Sequence, residues 1–381
     1  MTAVERFQPG PALRLIGSAA DAYKRLFVES DAARVLSRPD PVRRSGYEFE
    51  VVVDRIGNEA DGVVSLWLRH PDGGPLPAWT PGAHLDVFLP SGRQRQYSLT
   101  NDPADRGFYR IAVRLIADGD GGSAEIHRDL RVGDRLSVRG PRNAFPFVAA
   151  PCYLFVAGGI GITPILPMVA AAERAGVPWR LMYLGRSRTR MPFLYDLARY
   201  TGGDVVVRPD DEFGVPDARM IFEQTPPGAA VYVCGPPPLA EAARGVLALH
   251  DPSASLHTER FSPLPVRDGE PFRISLRRSG FDVEVAADES ALSAIRRVLP
   301  GVAYSCQQGF CGTCKTRVLA GAVEHRDRTL LDSERADAML TCVSRARWRT
   351  RTGSVSPAGN VARGGRRTWQ WLRDRSTSRS W

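Results

Sequence analysis

The sequence predicts a multidomain chain: an antiparallel β-barrel (residues 47–147), an α/β domain built on a parallel sheet (148–262) and a small cysteine-bearing domain (263–346), with extensions at 1–46 and 347–381. Three observations carry that division. Short alternating strands separated by Gly, Pro and Asp turns fill the first part, the pattern of a small closed antiparallel sheet. Continuous apolar strands joined by helical stretches fill the second, which implies a parallel sheet covered on both faces. In the third, Cys306, Cys311 and Cys314 stand at C-x4-C-x2-C spacing, and Cys342 follows after a further 27 residues.

With 381 residues, 43% of them hydrophobic, the chain has room for two to four domains with filled cores. It holds no run of eighteen apolar residues, so no membrane span is expected. The start, MTAVERFQPGPALRLIGSAA, lacks a signal-peptide core. Beyond the four spaced cysteines only Cys152 and Cys234 remain, too few for a disulfide framework, so a reducing, cytoplasmic setting is expected. The net charge of +9 resides in residues 345–381, which hold ten Arg and one Asp; the rest is balanced, which weakens a nucleic-acid reading.

In order along the chain, Ser18 to Val35 reads as an amphipathic helix, with Tyr23, Leu26 and Phe27 on one face and Lys24, Arg25 and Asp31 elsewhere. It either packs on the body or docks on a partner or membrane surface. Arg38-Pro39-Asp40-Pro41 ends it as a linker. The barrel strands follow as EFEVVVDRI, GVVSLWLRH, HLDVFL, QRQYSLT, FYRIAVRLI and DRLSVRG. On the fourth, Arg95, Tyr97 and Leu99 share one face and Ser98 takes the other. A cation, an aromatic ring and hydroxyls suit a phosphorylated flat ring, with Arg95 on the phosphate and Tyr97 stacking; a core tyrosine would look the same. Asp118 to Ser123 (DGDGGS) precedes a helical stretch Ala124–Leu130, and reads either as a phosphate site with Ser123 as the capping hydroxyl or as a plain turn and cap.

The α/β part reads YLFVAGG, a helix from Pro164 to Ala175, WRLMYLG, a helix near Pro192–Tyr200, DVVVRP, AAVYVCG, a helix from Pro238 to His250, and SLHTERF. Gly158-Gly159-Ile160-Gly161-Ile162-Thr163-Pro164 joins the first strand to the first helix, with Thr163 as N-cap and Pro164 at the first helical position. There a doubly wound sheet binds a dinucleotide, because glycines let backbone approach the pyrophosphate. The motif is GGxGxTP, which differs from the GxGxxG of standard dehydrogenases. Cys234-Gly235-Pro236-Pro237 ends a buried strand at the same edge, where the cysteine is either a small apolar residue or a ligand contact. Arg186, Arg188 and Arg190 either meet the adenosine end of a nucleotide or are solvated.

The cysteine spacing is that of plant-type ferredoxins, in which four thiolates hold a 2Fe-2S cluster. Gly309 and Gly312 sit where the loop must wrap closely. Structural zinc is the rival, but its ligands usually come as two C-x2-C pairs, and here one exists.

Taken together, residues 47–346 resemble the phthalate dioxygenase reductase and vanillate demethylase reductase family, within the ferredoxin-NADP reductase superfamily. The resemblance rests on RQYSLT (Arg95–Thr100), DGGS (Asp120–Ser123), PRNAFPF (Pro141–Phe147), GGIGITP (Gly158–Pro164), CGPPP (Cys234–Pro238), HTERF (His257–Phe261) and SCQQGFCGTC (Ser305–Cys314), in the family's order. It implies a flavin barrel holding FMN, with FAD the alternative, a nucleotide-binding α/β domain, and an α+β β-grasp ferredoxin domain. It implies flavin contacts at Arg95, Tyr97, Ser98, Val113, Arg114, Gly122 and Ser123, and nucleotide contacts at Gly158, Gly159, Gly161, Arg186, Gly235 and Pro236. Thr163 would lie between flavin and nicotinamide, Cys234 beside the nicotinamide and Phe261 against the flavin; Thr163, Cys234 and Ser98 are the implied catalytic residues. Cys306, Cys311, Cys314 and Cys342 would hold the cluster.

A nicotinamide gives two electrons together and an iron-sulfur cluster takes one, so a flavin belongs between them. The scattered histidines form no oxygen-activating metal site, so the terminal oxidation is expected on a separate oxygenase, most simply a Rieske non-haem oxygenase. A haem-thiolate monooxygenase, a membrane desaturase, or a non-catalytic redox sensor are the alternatives. NADH is expected over NADPH, and a monomer. Residues 347–381, with Trp348, Trp369, Trp371 and Trp381, are expected to be a poorly ordered tail in place of the family's closing strand; the alternative is a basic element docking an acidic oxygenase or an anionic membrane.

Overall fold

A computed structural model describes residues 47–347 apart from Asp118, Asp120, Gln224 and Pro252, together with the backbone of 368–372. The helix expected over Ser18–Val35 lies outside these residues.

Strands β1 (Tyr47–Ala60), β2 (Val63–Arg69), β3 (Ala83–Phe88), β4 (Gln94–Ser98), β5 (Tyr109–Arg114) and β6 (Arg135–Asn143) form an antiparallel sheet in the order β4-β3-β6-β1-β2-β5. A bridge between Leu99 and Ile111 brings its two ends together, so the sheet curls into a barrel. Period-2 alternation turns Val51, Val53, Leu66, Leu68, Leu85, Val87 and Val138 inward to one core, which Ile126 of helix α1 (Gly122–Arg128) helps to close.

The second sheet contains β7 (Tyr153–Gly158), β8 (Trp179–Gly185), β9 (Asp204–Pro209), β10 (Ala230–Cys234) and β11 (Ser255–Glu259), all parallel, in the order β11-β10-β7-β8-β9. The chain enters at the centre, runs out to β9 and returns to the other side, so the strand order reverses between β7 and β10. Tyr153, Phe155 and Ala157 pack with Ile165, Met168 and Val169 of α2 (Ile162–Ala175), whereas Leu154 and Val156 pack with Ala243 and Leu247 of α3 (Pro237–His250). Both faces of β7 are covered, which explains its unbroken apolar run.

Two local expectations are corrected. A 3-10 turn, Gly159–Gly161, bends the backbone before α2, so Gly161 is its N-cap; Thr163 falls inside the first turn and its Oγ1 donates to the Ile160 carbonyl at 3.0 Å. The helix expected over Pro192–Tyr200 is a single turn, Leu194–Leu197, because Phe193 adopts φ 65°, a left-handed conformation that cannot propagate a helix.

The third part holds β12 (Phe272–Leu276), β13 (Phe281–Val285), α4 (Ala291–Val298), β14 (Lys315–Ala320), β15 (Val323–Glu324), β16 (Ala338–Leu340), β17 (Arg345–Ala346) and β18 (Thr368–Leu372). Its main sheet runs β13-β12-β18-β14-β16, and β15 pairs with β17 beside it. Helix α4 is capped by Ser290, whose Oγ accepts from the Ser293 amide at 3.1 Å, and buries Ala291, Leu292, Ala294 and Ile295. The expectation that 347–381 holds no closing strand is overturned by β18. It lies between β12, to which it runs parallel, and β14, to which it is antiparallel. The physical reason is that β12 and β14 each need a backbone partner on that side, and the segment TWQWL has strand-forming residues enough to supply it despite the arginines around it.

Candidate functional site

The carboxyl ends of β7 and β10 lie side by side, with Ala157 opposite Cys234. A Cβ on Gly161 would lie 2.1 Å from the Cys234 carbonyl oxygen, one on Gly158 2.7 Å from Pro236 Cδ, and one on Gly235 3.0 Å from Gly158 Cα. Glycine is therefore required because the two turns touch. Above Gly159, at φ 54°, there is open space. Such a crevice at the reversal of strand order is where open α/β sheets take ligands. Thr163 and Cys234 are both buried at this edge. Burial, reinforced by the Glu259 carboxyl, pushes the Cys234 thiol well up, so it stays protonated.

Glu259 was not expected at the site. It stands opposite Cys234 on β11, its Oε2 is buried without a hydrogen-bond partner, and burial pushes its carboxyl up to about 8. The residue as a whole keeps partial exposure, so it is the carboxyl end that is enclosed. An acid in the middle of HTERF, at the strand edge shared with CGPPP, was the available signal. Two residues on, Phe261 is 52% exposed. Arg186 is exposed at the end of β8, but Arg188 is held by Glu212, through Nε at 3.0 Å and a terminal nitrogen at 2.7 Å. The Asp211 amide donates to the Arg186 carbonyl at 3.1 Å, which places the acidic turn Asp210–Phe213 beside these arginines.

In the barrel, the Arg95 guanidinium lies over Gly122, where a Cβ would come 2.3 Å from Arg95 Nε. Gly121, at φ 85°, caps α1. Ser123 does not cap it: its Oγ accepts the Ile116 amide at 3.0 Å, because the left-handed turn at Gly121 moves the cap upstream. The Val113 side chain is fully buried and its carbonyl accepts from His127 Nε2 at 2.9 Å, while Arg114 is exposed. Tyr97 is half-buried against the barrel core and Ser98 is buried. The alternate residues Gln94 and Gln96 reach the cysteine-bearing loop.

In that loop the thiols of Cys306 and Cys311 contact one another, and Cys342, which follows β16, meets the thiols of both Cys314 and Cys306. Hydrogen bonds from Cys311 and Cys342 lower the Cys306 thiol and one from Cys342 lowers Cys314, while the donors Cys311 and Cys342 are raised in return. The Gln308 amide donates to Cys306 Sγ at 3.3 Å. Gly309 and Gly312 adopt φ 81° and 73°, and a Cβ on Gly309 would press on Val343 at 2.8 Å. Two joined thiol pairs suit two irons, each taking two cysteine sulfurs. The donor set fits a 2Fe-2S cluster.

Comparison with known proteins agrees with this geometry. Residues 274–347 match the 2Fe-2S iron-sulfur cluster binding domain, and residues 75–147 match the oxidoreductase FAD-binding domain. The phthalate 4,5-dioxygenase oxygenase reductase subunit of Pseudomonas putida is 40% identical over 76% of this chain and 91% of its own length. The solved structure of phthalate dioxygenase reductase superposes with a TM-score of 0.61 and 35% identity, covering 79% of this chain and 96% of that one. An intact type IV self-sufficient cytochrome P450 monooxygenase gives a TM-score of 0.63 and 38% identity over 85% of this chain, which spans 41% of the P450 chain. The sheets, the switch-point glycines and the paired thiols lie on one polypeptide that matches nearly the whole length of such a reductase; the chain belongs to the phthalate dioxygenase reductase family of flavin and 2Fe-2S oxidoreductases.

Proposed function

We propose that the chain is the reductase component of an oxygenase system, drawing electrons from NADH and delivering them through FMN and a 2Fe-2S cluster to a separate terminal oxygenase. Bound flavin supplies the exchange between two-electron and one-electron transfer, and the cluster supplies a one-electron relay. The observation that carries the reading is the contact between β4, which presents Arg95 and Tyr97, and the loop that presents Cys306. In this reading Arg95 and Gly122 hold the flavin phosphate, Tyr97, Ser98 and Phe261 surround its ring, and Thr163 and Cys234 line the nicotinamide side. Cys234 acts as a neutral, compact wall. Addition of NADH under anaerobic conditions should bleach flavin and cluster absorbance in turn, and cytochrome c reduction should proceed at steady state. A protein that binds flavin but turns over negligibly with every acceptor would be a redox sensor instead.

The acidic turn favours NADH. A 2′-phosphate near Arg186 would meet Asp210, Asp211 and Glu212, the last already engaged with Arg188. Comparing kcat/KM for the two nucleotides tests this, and an NADPH advantage overturns it. Mass measurement of the extracted flavin decides FMN against FAD. Among the described residues no helix is long and apolar enough to cross a membrane, and we take the protein to work as a monomer in the cytoplasm, where thiolate ligands stay reduced.

A Rieske non-haem oxygenase is the acceptor we propose. A haem-thiolate acceptor is the second reading, favoured by the greater share of this chain aligned with the P450, 85% against 79% for phthalate dioxygenase reductase. Reduction rates with one purified acceptor of each class separate the two.

A further inference from the structure

Strand β4 has two working faces. Its odd positions carry Arg95 and Tyr97, and its even positions, Gln94 and Gln96, face the cysteine-bearing loop. Gln94 Nε2 donates to the Tyr304 carbonyl at 2.8 Å, and the Tyr304 hydroxyl donates back to the Gln94 carbonyl at 3.1 Å. Gln96 Nε2 donates to Ser305 Oγ at 2.6 Å and to Asp86 Oδ1 at 2.9 Å. Asp86, on the neighbouring strand β3, is fully buried; its Oδ1 also accepts from Ser305 Oγ at 3.2 Å, and its Oδ2 accepts from Arg142 at 2.5 Å. The other terminal nitrogen of Arg142 donates to Thr313 Oγ1 at 2.9 Å. Ser305 and Thr313 directly precede Cys306 and Cys314.

We propose that Asp86 is a positioning residue for electron transfer: with Arg142 and Gln96 it clamps the loop bearing Cys306, Cys311 and Cys314 onto the outer face of β4, and so sets the separation that each electron crosses from barrel to cluster. The step makes and breaks no bond; one electron leaves the flavin and one arrives at the cluster. An interface needed only for cohesion is as well served by apolar residues, whereas a buried carboxylate satisfied from two domains admits one register. Because β4 bears both Arg95 and Tyr97 and, in Gln96, one member of the clamp, a shift of the loop changes the separation directly. The inference rests on the electron path proposed above.

Two variants of the holoenzyme test it. Asp86→Asn leaves Arg142 without its counter-charge, and Gln96→Leu removes the bridge while disturbing no charge. In each, flavin reduction by NADH in a stopped-flow instrument is expected to stay at the wild-type rate, while subsequent cluster reduction slows severalfold, because a tunnelling rate falls exponentially with the separation that the loop sets. Hydrogen exchange of peptides covering residues 304–314 is expected to accelerate while the cluster's visible absorption is retained. If both variants keep wild-type cluster reduction and wild-type exchange, or if flavin reduction slows as much as cluster reduction, the clamp is refuted. If the wild-type protein itself shows no NADH-dependent cluster reduction, the electron path fails; the exchange result then still decides whether Asp86 holds the loop.

Discussion

Ending the chain after Ala346 would remove β18 and is expected to cost the third domain its cluster. The strand is internal to its sheet: it makes four register pairs with β12, from Arg273 to Leu276, and three with β14, at Arg317, Val318 and Ala320. Cross-strand pairs contribute about 0.2–1 kcal/mol each, so the loss is on the order of 1–7 kcal/mol. Whole domains are stable by only about 5–15 kcal/mol, and the truncation would also leave two inner strand edges unpaired, so a loss near the top of the range would remove most of the stability of a domain at the lower end of that scale. The damage should stay local, because the barrel and the parallel sheet have their own cores. Urea unfolding followed by cluster absorbance, with iron content and flavin content measured on the same samples, is the assay. The truncated protein is expected to lose cluster absorbance at lower urea, or to be isolated without iron, while still binding flavin and oxidising NADH. A truncated protein with full iron content and the wild-type cluster midpoint would refute the role given to β18.

Cys342→Ser should abolish or badly disturb the 2Fe-2S absorption and EPR signals, with flavin reduction by NADH persisting. Gly161→Ala would drive a Cβ to 2.1 Å from the Cys234 carbonyl; overpacking of this kind costs about 1–3 kcal/mol, readable as a lower Tm and a raised KM for NADH. For Glu259, burial holds the folded-state pKa at about 8, above its ordinary value of 4.5, so the folded protein binds the extra proton between those limits. Its contribution to stability is fully present below pH 4.5 and is lost as the pH rises to 8. Tm of the nucleotide-free protein should therefore fall across that window more steeply in wild type than in Glu259→Gln, and equal slopes would remove the buried-carboxyl assignment.

Much of the molecule was legible in short windows of sequence. The C-x4-C-x2-C spacing identified three thiols of one loop, because chain geometry alone limits how far apart they can lie. The glycines of GGIGITP marked a close backbone approach, and the contact proved to be with the Cys234 carbonyl. Strand parity separated Arg95 and Tyr97 from their neighbours. What no window contained was partnership across distance. The cap of α2 went to Gly161 because a 3-10 turn came first, and Ser123 turned to Ile116 and left α1 uncapped by its hydroxyl. Glu259 became a site residue only when parallel pairing set β11 beside β10. Gln94, Gln96 and Asp86 carry no signal of their own in the sequence, and their role comes from the partners Tyr304, Ser305 and Thr313 that another domain supplies. The arginine-rich end showed no closing strand, yet β18 forms where β12 and β14 leave hydrogen-bonding groups to fill. Periodicity and spacing follow from covalent geometry and are written locally; the satisfaction of a buried polar group or an open strand edge depends on whichever distant segment folds against it, and only the tertiary structure selects that segment.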